Sequence, residues 1–316
     1  MIDVVALGEL LIDFACIETD PEGYPTMAAH PGGAPANFLA ALSKFGAKTA
    51  LLGKVGTDAF GKLLTGTLQK AGIGTRGLIA ADDVFTTLAF VTLDESGDRS
   101  FSFARKPGAD TCLTWDEVDT SLIDEAKVFH FGTLSLTNEP ARTATQKAVA
   151  YAKAAGKLVT YDPNLRKPLW KDLEEARRQL LWGLRQADVV KISDEEVAFL
   201  FGLDVKEGAK HILDNFGVKL VFVTCGAGGC FFKTAAVEGH VPSLSGIHVI
   251  DTTGAGDIFG GSALWKLLSS GKAPEALTAD ELTEAVRFAC TAAGLSTTRT
   301  GGISSVPTYD EVLAHL

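Results

Sequence analysis

The segment Asp251-Thr252-Thr253-Gly254-Ala255-Gly256-Asp257 precedes an apolar stretch with a helical pattern. Small residues from Gly254 to Gly256 begin this predicted helix, and the first N–H groups of a helix have no partner inside it. The helix dipole favours negative charge at the same end, so the segment is a predicted anion site. Asp257 would lie in the first turn, where a carboxylate can accept a proton from a hydroxyl group that attacks phosphorus.

An ordinary strand-to-helix turn is the alternative interpretation of these seven residues. Aspartate is favoured near a helix N-terminus for structural reasons alone. The rest of the chain has to decide between the two interpretations.

Short apolar runs alternate with helical patterns upstream of this segment. The predicted strands are residues 4–7, 127–131, 158–161, 189–192 and 220–223, and the predicted helices lie near 34–45, 58–71, 138–155, 172–185 and 205–215. This alternation is typical of a parallel sheet covered by helices on both faces. Downstream, the pattern predicts helices near 256–270 and 280–297 and a last helix after Pro307.

One stretch departs from that alternation. Residues 85–93 and 99–104 alternate polar and apolar side chains around Glu95-Ser96-Gly97-Asp98, which has the composition of a hairpin turn. Residues 14–18 form another extended candidate. These strands predict a small separate sheet inserted into the α/β fold.

The charge of the chain limits its partners. The 316 residues carry a formal net charge of −10, with a pI near 5.1. This balance argues against nucleic-acid or anionic-membrane partners, because both require a basic surface. The length allows either one large α/β domain or two small ones.

The cysteines and the N-terminus indicate a cytoplasmic protein. Five cysteines include no CxxC pair, and an odd number fits reduced thiols better than a disulfide framework. The sequence has no basic leader segment and no run of about 18 apolar residues, so we expect no membrane span. The six histidines lack zinc-site spacing.

Two glycine motifs resemble nucleotide sites only superficially. Residues 56–63 fit GxxxxGK but have Leu63 where a P-loop needs Ser or Thr for magnesium. Residues 72–77 fit GxGxxG but follow a helix, the reverse of the order in a dinucleotide fold. A nicotinamide dehydrogenase would depend on that second motif alone.

Polar segments follow several predicted strands. Three examples are Gly8-Glu9-Leu10-Leu11-Ile12-Asp13, Asp162-Pro163-Asn164-Leu165-Arg166 and Thr224-Cys225-Gly226-Ala227-Gly228-Gly229. Open α/β sheets bind ligands in the crevice at the carboxyl ends of their strands. These segments are therefore candidate binding loops.

Together with the segment that ends at Asp257, these motifs resemble the ribokinase-like carbohydrate kinases, and among them the fructokinases. The similarity covers nearly the whole chain, and further motifs lie in family order at Gly32-Gly33 with Asn37, at residues 105–110, at residues 191–196 and at Gly301-Gly302. The resemblance implies a ribokinase-like α/β fold: one domain over 1–316 with a central, mostly parallel sheet and helices on both faces. It also implies a small β-sheet lid from strands at about 14–30 and 84–111, and a homodimer formed through that lid.

The resemblance assigns the sugar site to residues near the N-terminus and the lid. The implied substrate-binding residues are Asp13, Gly32, Gly33, Asn37, Arg105, Asp110 and Asp257. Structural alternatives remain for some of them: Asp13 as a strand-end turn residue, the glycine pair as a helix-entry turn and Arg105 as a surface residue.

The resemblance also implies the catalytic, nucleotide and metal residues. Asp257 is the implied general base, Gly254, Ala255 and Gly256 form the anion hole, and Arg166 is the cation nearest the transferred group. The implied ATP contacts are Asn164, Ser193, Thr224, Gly226, Gly229, Gly254 and Gly256. Ser193 replaces an asparagine found in many superfamily members. The resemblance implies magnesium organised by Glu196 through water, and potassium bound by Asp251, Thr253, Ser296, Gly301 and Ser305.

D-fructose is the leading substrate on this resemblance, and fructose 6-phosphate is the product. The alternatives are 2-keto-3-deoxygluconate or another small sugar. A carboxylate substrate would require Arg105 and Arg166 together. A non-catalytic sugar-binding protein on the same scaffold is the alternative from a different class.

Overall fold

A ten-stranded sheet forms the centre of the fold. The computed structural model describes residues 1–93 and 99–316. In spatial order the strands are β14 (Glu238–Val241), β13 (Cys230–Lys233), β12 (Leu220–Thr224), β11 (Val189–Ser193), β10 (Leu158–Asp162), β9 (Ala126–Gly132), β1 (Ile2–Leu7), β4 (Thr49–Gly56) and β5 (Ile73–Gly74), and β6 (Leu78–Ala81) also pairs with β4. The pairs between β12 and β6 are parallel, whereas β12–β13 and β13–β14 are antiparallel.

Helices cover both faces of this sheet. They are α1 (Ala34–Lys44), α2 (Ala59–Lys70), α3 (Thr120–Glu125), α4 (Ala141–Ala154), α5 (Leu173–Leu184), α6 (Asp194–Phe201), α7 (Val205–Phe216), α8 (Ala255–Ser270), α9 (Ala279–Ser296) and α10 (Tyr309–Leu313). The core is accordingly split into two apolar clusters, one built around α1, α8 and α9 and the other around α3 to α7. Both faces of the central strands are buried, which explains their nearly continuous apolar sequences.

Helices α1 and α8 pack against each other at unusually short range. A Cβ atom at Gly261 would lie 2.3 Å from the backbone oxygen of Phe38. Any larger residue at Gly261 would therefore push the two helices apart, and the glycine fixes their relative position.

A second sheet of four strands has the order β3 (Pro25–Gly32), β2 (Leu11–Thr19), β7 (Leu88–Leu93) and β8 (Arg99–Ala104). Strands β7 and β8 are antiparallel, as expected for a hairpin. The predicted turn at residues 95–98 lies outside the described residues. We call these four strands the lid sheet.

The predicted fold class is confirmed: a mostly parallel central sheet, helices on both faces and a second small sheet. The sequence analysis missed β4, which is buried along its whole length, and the short helix α3. The GxxxxGK segment begins at the end of β4, but there Asp58 caps α2 by accepting from the N–H groups of Phe60 and Gly61. Within the described residues, no helix is both long and apolar enough to span a membrane.

Candidate active site

The N-terminus of α8 is built as the sequence predicts. Gly254 precedes the helix with a left-handed φ of 75°, and no side chain among the described residues caps this end. Asp257 lies in the first turn. The N-terminal N–H groups of the helix are therefore available to an anionic ligand.

A cavity of about 220 Å³ lies on one side of this helix end. It combines residues from β2, α1, the loop after β10, the start of α8 and the lid sheet. Its walls are formed by Glu9, Leu11, Asp13, Gly33, Ala34, Asn37, Val91, Phe103, Leu134, Asn164, Arg166, Thr252, Thr253, Gly254 and Asp257. We call it the polar cavity, because carboxylates, amides and a guanidinium converge there beside three apolar residues of the lid sheet, Leu11, Val91 and Phe103.

A larger cavity of about 510 Å³ lies on the other side. Its walls are mostly glycine and apolar residues from the loop after β12, the loop before α8 and helix α9: Thr224, Gly226, Ala227, Gly229, Ser243, Leu244, Gly246, Ile247, Val249, Thr252, Ala255, Gly256, Phe259, Cys290, Ala293, Gly294 and Thr297. Thr252 lines both cavities. The two cavities therefore meet at the N-terminus of α8, beside Asp257.

Asp257 is held by a residue from a distant part of the chain. The side-chain nitrogen Nδ2 of Asn37 donates to Oδ2 of Asp257 at 2.9 Å. The exclusion of water raises the pKa of the Asp257 carboxyl, and three groups oppose this rise: the Asn37 hydrogen bond and the charges of Lys191 and Arg166. These three groups favour the ionised form, which a general base requires.

Asp13 lies in the same cavity. Burial raises the pKa of Asp13 to about 6, with Arg166 lowering it and the carboxylates of Asp257 and Asp251 raising it. A Cβ atom at Gly32 would lie 2.1 Å from Oδ2 of Asp13, so only glycine leaves room for this carboxylate. Gly32 is not among the residues that line the polar cavity, and its contribution is to leave space for the Asp13 carboxylate.

Arg105 and Asp110 bind each other. Nε and Nη2 of Arg105 lie 2.9 and 2.6 Å from Oδ2 of Asp110, and the two side chains are 3% and 1% exposed. Arg105 also donates to Thr137 and to the backbone oxygen of Leu134, which lines the polar cavity. The two residues that the resemblance assigned to the sugar thus form a buried ion pair with each other, and Arg105 supports the cavity wall through Leu134.

The sequence analysis missed Lys191 as an individual residue. Its ammonium group lies 3.0 Å from Oδ2 of Asp162, and the side chain is only 13% exposed. Burial opposes its positive charge, but Asp162, Glu196 and Asp257 outweigh this effect and raise the pKa of Lys191. The detectable signal is a lysine inside the apolar strand β11, because a buried charge requires a partner.

The loop after β10 presents Asn164 to the polar cavity. Asn164 has a left-handed φ of 44°, and its N–H group donates to Oδ1 of Asp162 at 3.1 Å. Asp162 therefore connects this turn to Lys191. Arg166, at the end of the loop, is exposed and lines the cavity as expected.

Ser193 and Glu196 form the cap of α6. Ser193 Oγ accepts from the N–H group of Glu196, and Glu196 Oε2 accepts from the N–H group of Ser193 at 2.9 Å. Glu196 Oε1 accepts from the N–H group of Leu165 at 2.7 Å. Both carboxylate oxygens of Glu196 therefore bind backbone groups, and neither Ser193 nor Glu196 is among the residues that line the two cavities. Within the described ranges, no group of His, Cys, Asp or Glu side chains is arranged to hold a metal ion.

Asp251 connects two loops next to α8. Its Oδ1 accepts from the N–H and hydroxyl groups of Thr253 at 2.9 and 2.7 Å, and its Oδ2 accepts from the N–H group of Gly301 at 2.9 Å. The hydroxyl groups of Ser296 and Ser305 donate to backbone oxygens of Ala293 and Gly302. Three of the five residues expected to bind potassium are thus joined by one carboxylate.

Glu9 is a second residue that the sequence analysis did not assign. It lines the polar cavity, is 2% exposed, and its Oε1 accepts from the N–H group of Ala34 at 2.9 Å. Burial raises the pKa of Glu9 to about 7, and the nearby carboxylate of Asp110 adds to the rise. Its signal in the sequence is a charged residue between apolar neighbours.

Replacing Glu9 with glutamine should remove one source of pH dependence from the free energy of unfolding. The folded chain binds a proton at Glu9 below pH 7, whereas the unfolded chain binds it only below the ordinary value of 4.5. The stabilisation that protonated Glu9 provides is therefore lost as pH rises from 4.5 through 7. Relative to the parent, the free energy of unfolding of the glutamine variant should increase by roughly 1 kcal/mol for each pH unit between these values. Chemical denaturation of both proteins at pH 5 and pH 8 measures this difference, and a constant difference would contradict the prediction.

Known proteins resemble this chain along nearly its whole length. The model of the pfkB family carbohydrate kinases matches residues 1–309. The chain is 43% identical to Fructokinase-1 of Zea mays over 314 residues, which is 98% of this chain and 96% of the maize protein.

Solved structures agree with this result. The crystal structure of a fructokinase with bound ATP from Xylella fastidiosa matches with a TM-score of 0.90 and 32% identity, covering 98% of this chain and 97% of that chain. A fructokinase double mutant from Vibrio cholerae, solved with fructose, ADP and a potassium ion, matches with a TM-score of 0.87 and 33% identity, covering 100% of this chain and 98% of that chain. The similarity therefore extends over essentially the whole chain.

Proposed function

This chain belongs to the pfkB family of carbohydrate kinases and is a sugar kinase that transfers phosphate to a hydroxyl group, and from this premise we propose that it converts D-fructose to fructose 6-phosphate with ATP. The proposal rests on one observation: the polar cavity and the larger cavity, which is lined by several glycines, meet beside Asp257. The full-length identity to fructokinases supports fructose as the sugar.

We assign the polar cavity to the sugar. Asp13 can accept hydrogen bonds from two adjacent hydroxyl groups, and the backbone of Gly33 can approach the ring closely. Val91 and Phe103 of the lid sheet cover the cavity with apolar surface. This cover excludes water, which would otherwise compete with the sugar for the phosphoryl group.

We assign the larger cavity to the nucleotide. Thr224, Gly226 and Gly229 line it, and the absence of side chains on the glycines lets a flat base lie against the backbone. Gly256 lines the same cavity at the start of α8, where the N–H groups can bind phosphate. Asn164 and Ser193, which we predicted as ATP contacts, lie elsewhere: Asn164 lines the polar cavity and Ser193 caps α6.

Asp257 is the general base in the proposed reaction. It takes the proton of the sugar hydroxyl while that oxygen forms a bond to the γ-phosphorus of ATP, and the bond from phosphorus to the bridging oxygen breaks to release ADP. The N–H groups from Gly254 to Gly256 and the charge of Arg166 stabilise the transferred phosphoryl group. The charges of Lys191 and Arg166 also favour the ionised form of Asp257, against the rise in its pKa that burial causes.

Magnesium would arrive as a complex with ATP. Magnesium commonly keeps several waters and binds through substrate phosphates with few protein carboxylates. This mode fits Glu196, whose oxygens already accept backbone hydrogen bonds and can order metal-bound water at most. We propose potassium as the ion near Asp251, Thr253 and Gly301, which one carboxylate joins, and the Vibrio cholerae fructokinase that was solved with a potassium ion supports this choice of ion.

We further propose a single kinase domain whose lid sheet forms a homodimer contact. Ile17 and Tyr24 of the lid sheet region are 65% and 71% exposed. A second lid sheet would bury these apolar side chains. Analytical ultracentrifugation of an Ile17→Asp variant tests this contact, since the substitution should shift the protein to the monomer.

The buried Arg105 disfavours the keto-acid alternative. A substrate carboxylate would need Arg105 and Arg166 together, but Arg105 is engaged by Asp110. Asp13, with a pKa raised only to about 6, is mostly ionised at neutral pH and would also repel a second carboxylate. The polar cavity therefore suits a neutral polyol.

A steady-state comparison of the two sugars tests the substrate. We expect kcat/KM for D-fructose to exceed that for 2-keto-3-deoxygluconate by about 10²-fold or more, because the keto acid leaves an unpaired charge in the cavity. ADP release, measured with a coupled assay, is the readout. A ratio that favours the keto acid would overturn the choice of substrate, and no ADP release with any sugar would support a binding protein instead.

A further inference from the structure

A side-chain amide couples α1 to α8 at the proposed base. Asn37 is 3% exposed, and its Nδ2 donates to Oδ2 of Asp257 at 2.9 Å. The two residues are 220 positions apart in sequence. Because Gly261 lets the helices pack closely at Phe38, the backbone of Asn37 cannot easily move relative to α8.

The other end of the amide is enclosed by Gly302. Oδ1 of Asn37 is buried and has no hydrogen-bond partner in the described part of the chain. A Cβ atom at Gly302 would lie 2.2 Å from this oxygen and 2.6 Å from Nδ2, and its three nearest atoms all belong to the Asn37 side chain. The backbone of Gly302 therefore packs against the Asn37 amide and blocks its movement in this direction.

The orientation of the amide follows from charge. Oδ1 in place of Nδ2 would put two acceptors together at an ionised carboxylate, which is unfavourable. Nδ2 of Asn37 therefore binds Asp257, and Oδ1 of Asn37 packs against Gly302. The resemblance assigned Asn37 to the sugar, and Asn37 does line the polar cavity, but its side-chain hydrogen bond in the structure is to the proposed base.

We infer that Asn37 is a positioning residue that orients the Asp257 carboxylate through their hydrogen bond, and that Gly302 locks the Asn37 amide in this role. The inference rests on the proposed function, because it requires Asp257 to act as the base. It adds Gly302, which is not among the residues that line either cavity and which would act on the reaction through the Asn37 amide that it encloses.

Gly302 is itself fixed by its neighbours. Its backbone oxygen accepts from the N–H and hydroxyl groups of Ser305 at 3.1 and 2.8 Å. The preceding Gly301 is held by Asp251. A substitution at Gly302 should therefore displace the amide of Asn37 and leave the Gly302 backbone in place.

Replacing Gly302 with alanine is the direct test. Gly302 has a φ of −89°, which alanine adopts without strain, and the three atoms nearest to the added methyl group all belong to the Asn37 side chain, so we expect it to act mainly by displacing the amide. Loss of the hydrogen bond to a charged group should shift the acidic limb of the kcat/KM profile upward by about one pH unit. We also expect kcat at pH 7 to fall by about 10-fold or more, because the base is misplaced.

A second glycine provides the matched control. A Cβ atom at Gly66 in α2 would meet no other atom within 4 Å, so Gly66→Ala should leave both kcat and the pH profile unchanged. Asn37→Ala is the second variant, and it should show the same upward shift as Gly302→Ala. If Gly302→Ala does not fold, Asn37→Ala decides the outcome.

The other charged groups around Asp257 stay constant in these variants. They are Lys191 on β11, Arg166 in the loop after β10, Asp13 on β2 and Asp162 on β10. A shift in the acidic limb can therefore be attributed to the amide.

Two outcomes separate this inference from the proposed function. Retention of kcat in Asp257→Asn would overturn the proposed role of Asp257 as the base, on which this inference rests. Loss of kcat in Asp257→Asn together with an unshifted profile in Gly302→Ala and Asn37→Ala would overturn only the positioning role. An increase in KM for fructose in Asn37→Ala, without a shift in the acidic limb of the kcat/KM profile, would instead support a direct contact between Asn37 and the sugar.

Discussion

Asp257→Asn should lower kcat by about 10²-fold or more, the usual contribution of a general base. Asparagine has the same shape and can still pack beside Asn37, but it cannot take the proton of the attacking hydroxyl. The folded structure and sugar affinity should persist, because the first turn of α8 and the lining of the polar cavity stay in place. Saturating steady-state assays measure kcat, and calorimetric titration with fructose measures the affinity.

Asp13→Asn is the matched control for this prediction. It removes a carboxylate from the same cavity, but from a residue that we assign to sugar hydroxyl groups. We expect Asp13→Asn mainly to raise KM for fructose, whereas Asp257→Asn mainly lowers kcat. A kcat within about threefold of the parent in Asp257→Asn would remove this residue from the mechanism.

Arg105→Met should cost about 3 kcal/mol or more in the free energy of unfolding, because it leaves Asp110 as an unpaired buried charge. Both side chains are nearly inaccessible, and the guanidinium also donates to Leu134 and Thr137. Methionine keeps much of the apolar volume, so the loss arises from charge and hydrogen bonding. Denaturant titration followed by tryptophan fluorescence measures the difference.

Arg178→Met gives the reference for an exposed ion pair. Arg178 binds Glu175 one turn away on α5, and its side chain is 67% exposed. Removing it should cost less than about 1 kcal/mol. Equal stability losses in the two variants would contradict the structural role of Arg105. A parental stability of Arg105→Met combined with a raised KM for fructose would support the direct sugar contact that the resemblance implied.

The sequence predicted the parts of the structure that depend on local pattern. The apolar runs located most central strands, and the glycine-rich start of α8 was predicted as the start of a helix. The structure brings Asp13, Asn164 and Arg166, from separate candidate binding loops, to one cavity, while their roles there stay predictions.

The features that the sequence could not predict depend on contacts between distant segments. The pairing of Asn37 with Asp257 requires knowledge of how α1 and α8 pack. The engagement of Arg105 by Asp110 depends on the burial of both side chains beneath neighbouring segments, and the same two residues on an open surface would face solvent. The pairing of Lys191 could have been predicted, because a lysine within the apolar strand β11 is largely buried and a buried charge requires a partner.

The junction between the lid sheet and the site has a mechanical consequence. Strand β3 ends at Gly32 and helix α1 begins at Ala34, so Gly33 alone separates the cover from the cavity floor. Gly33 also lines the polar cavity, so any displacement of β3 relative to α1 would reorient the peptide groups that face the sugar. We therefore expect that stiffening this link would slow turnover without altering any side chain that meets the sugar.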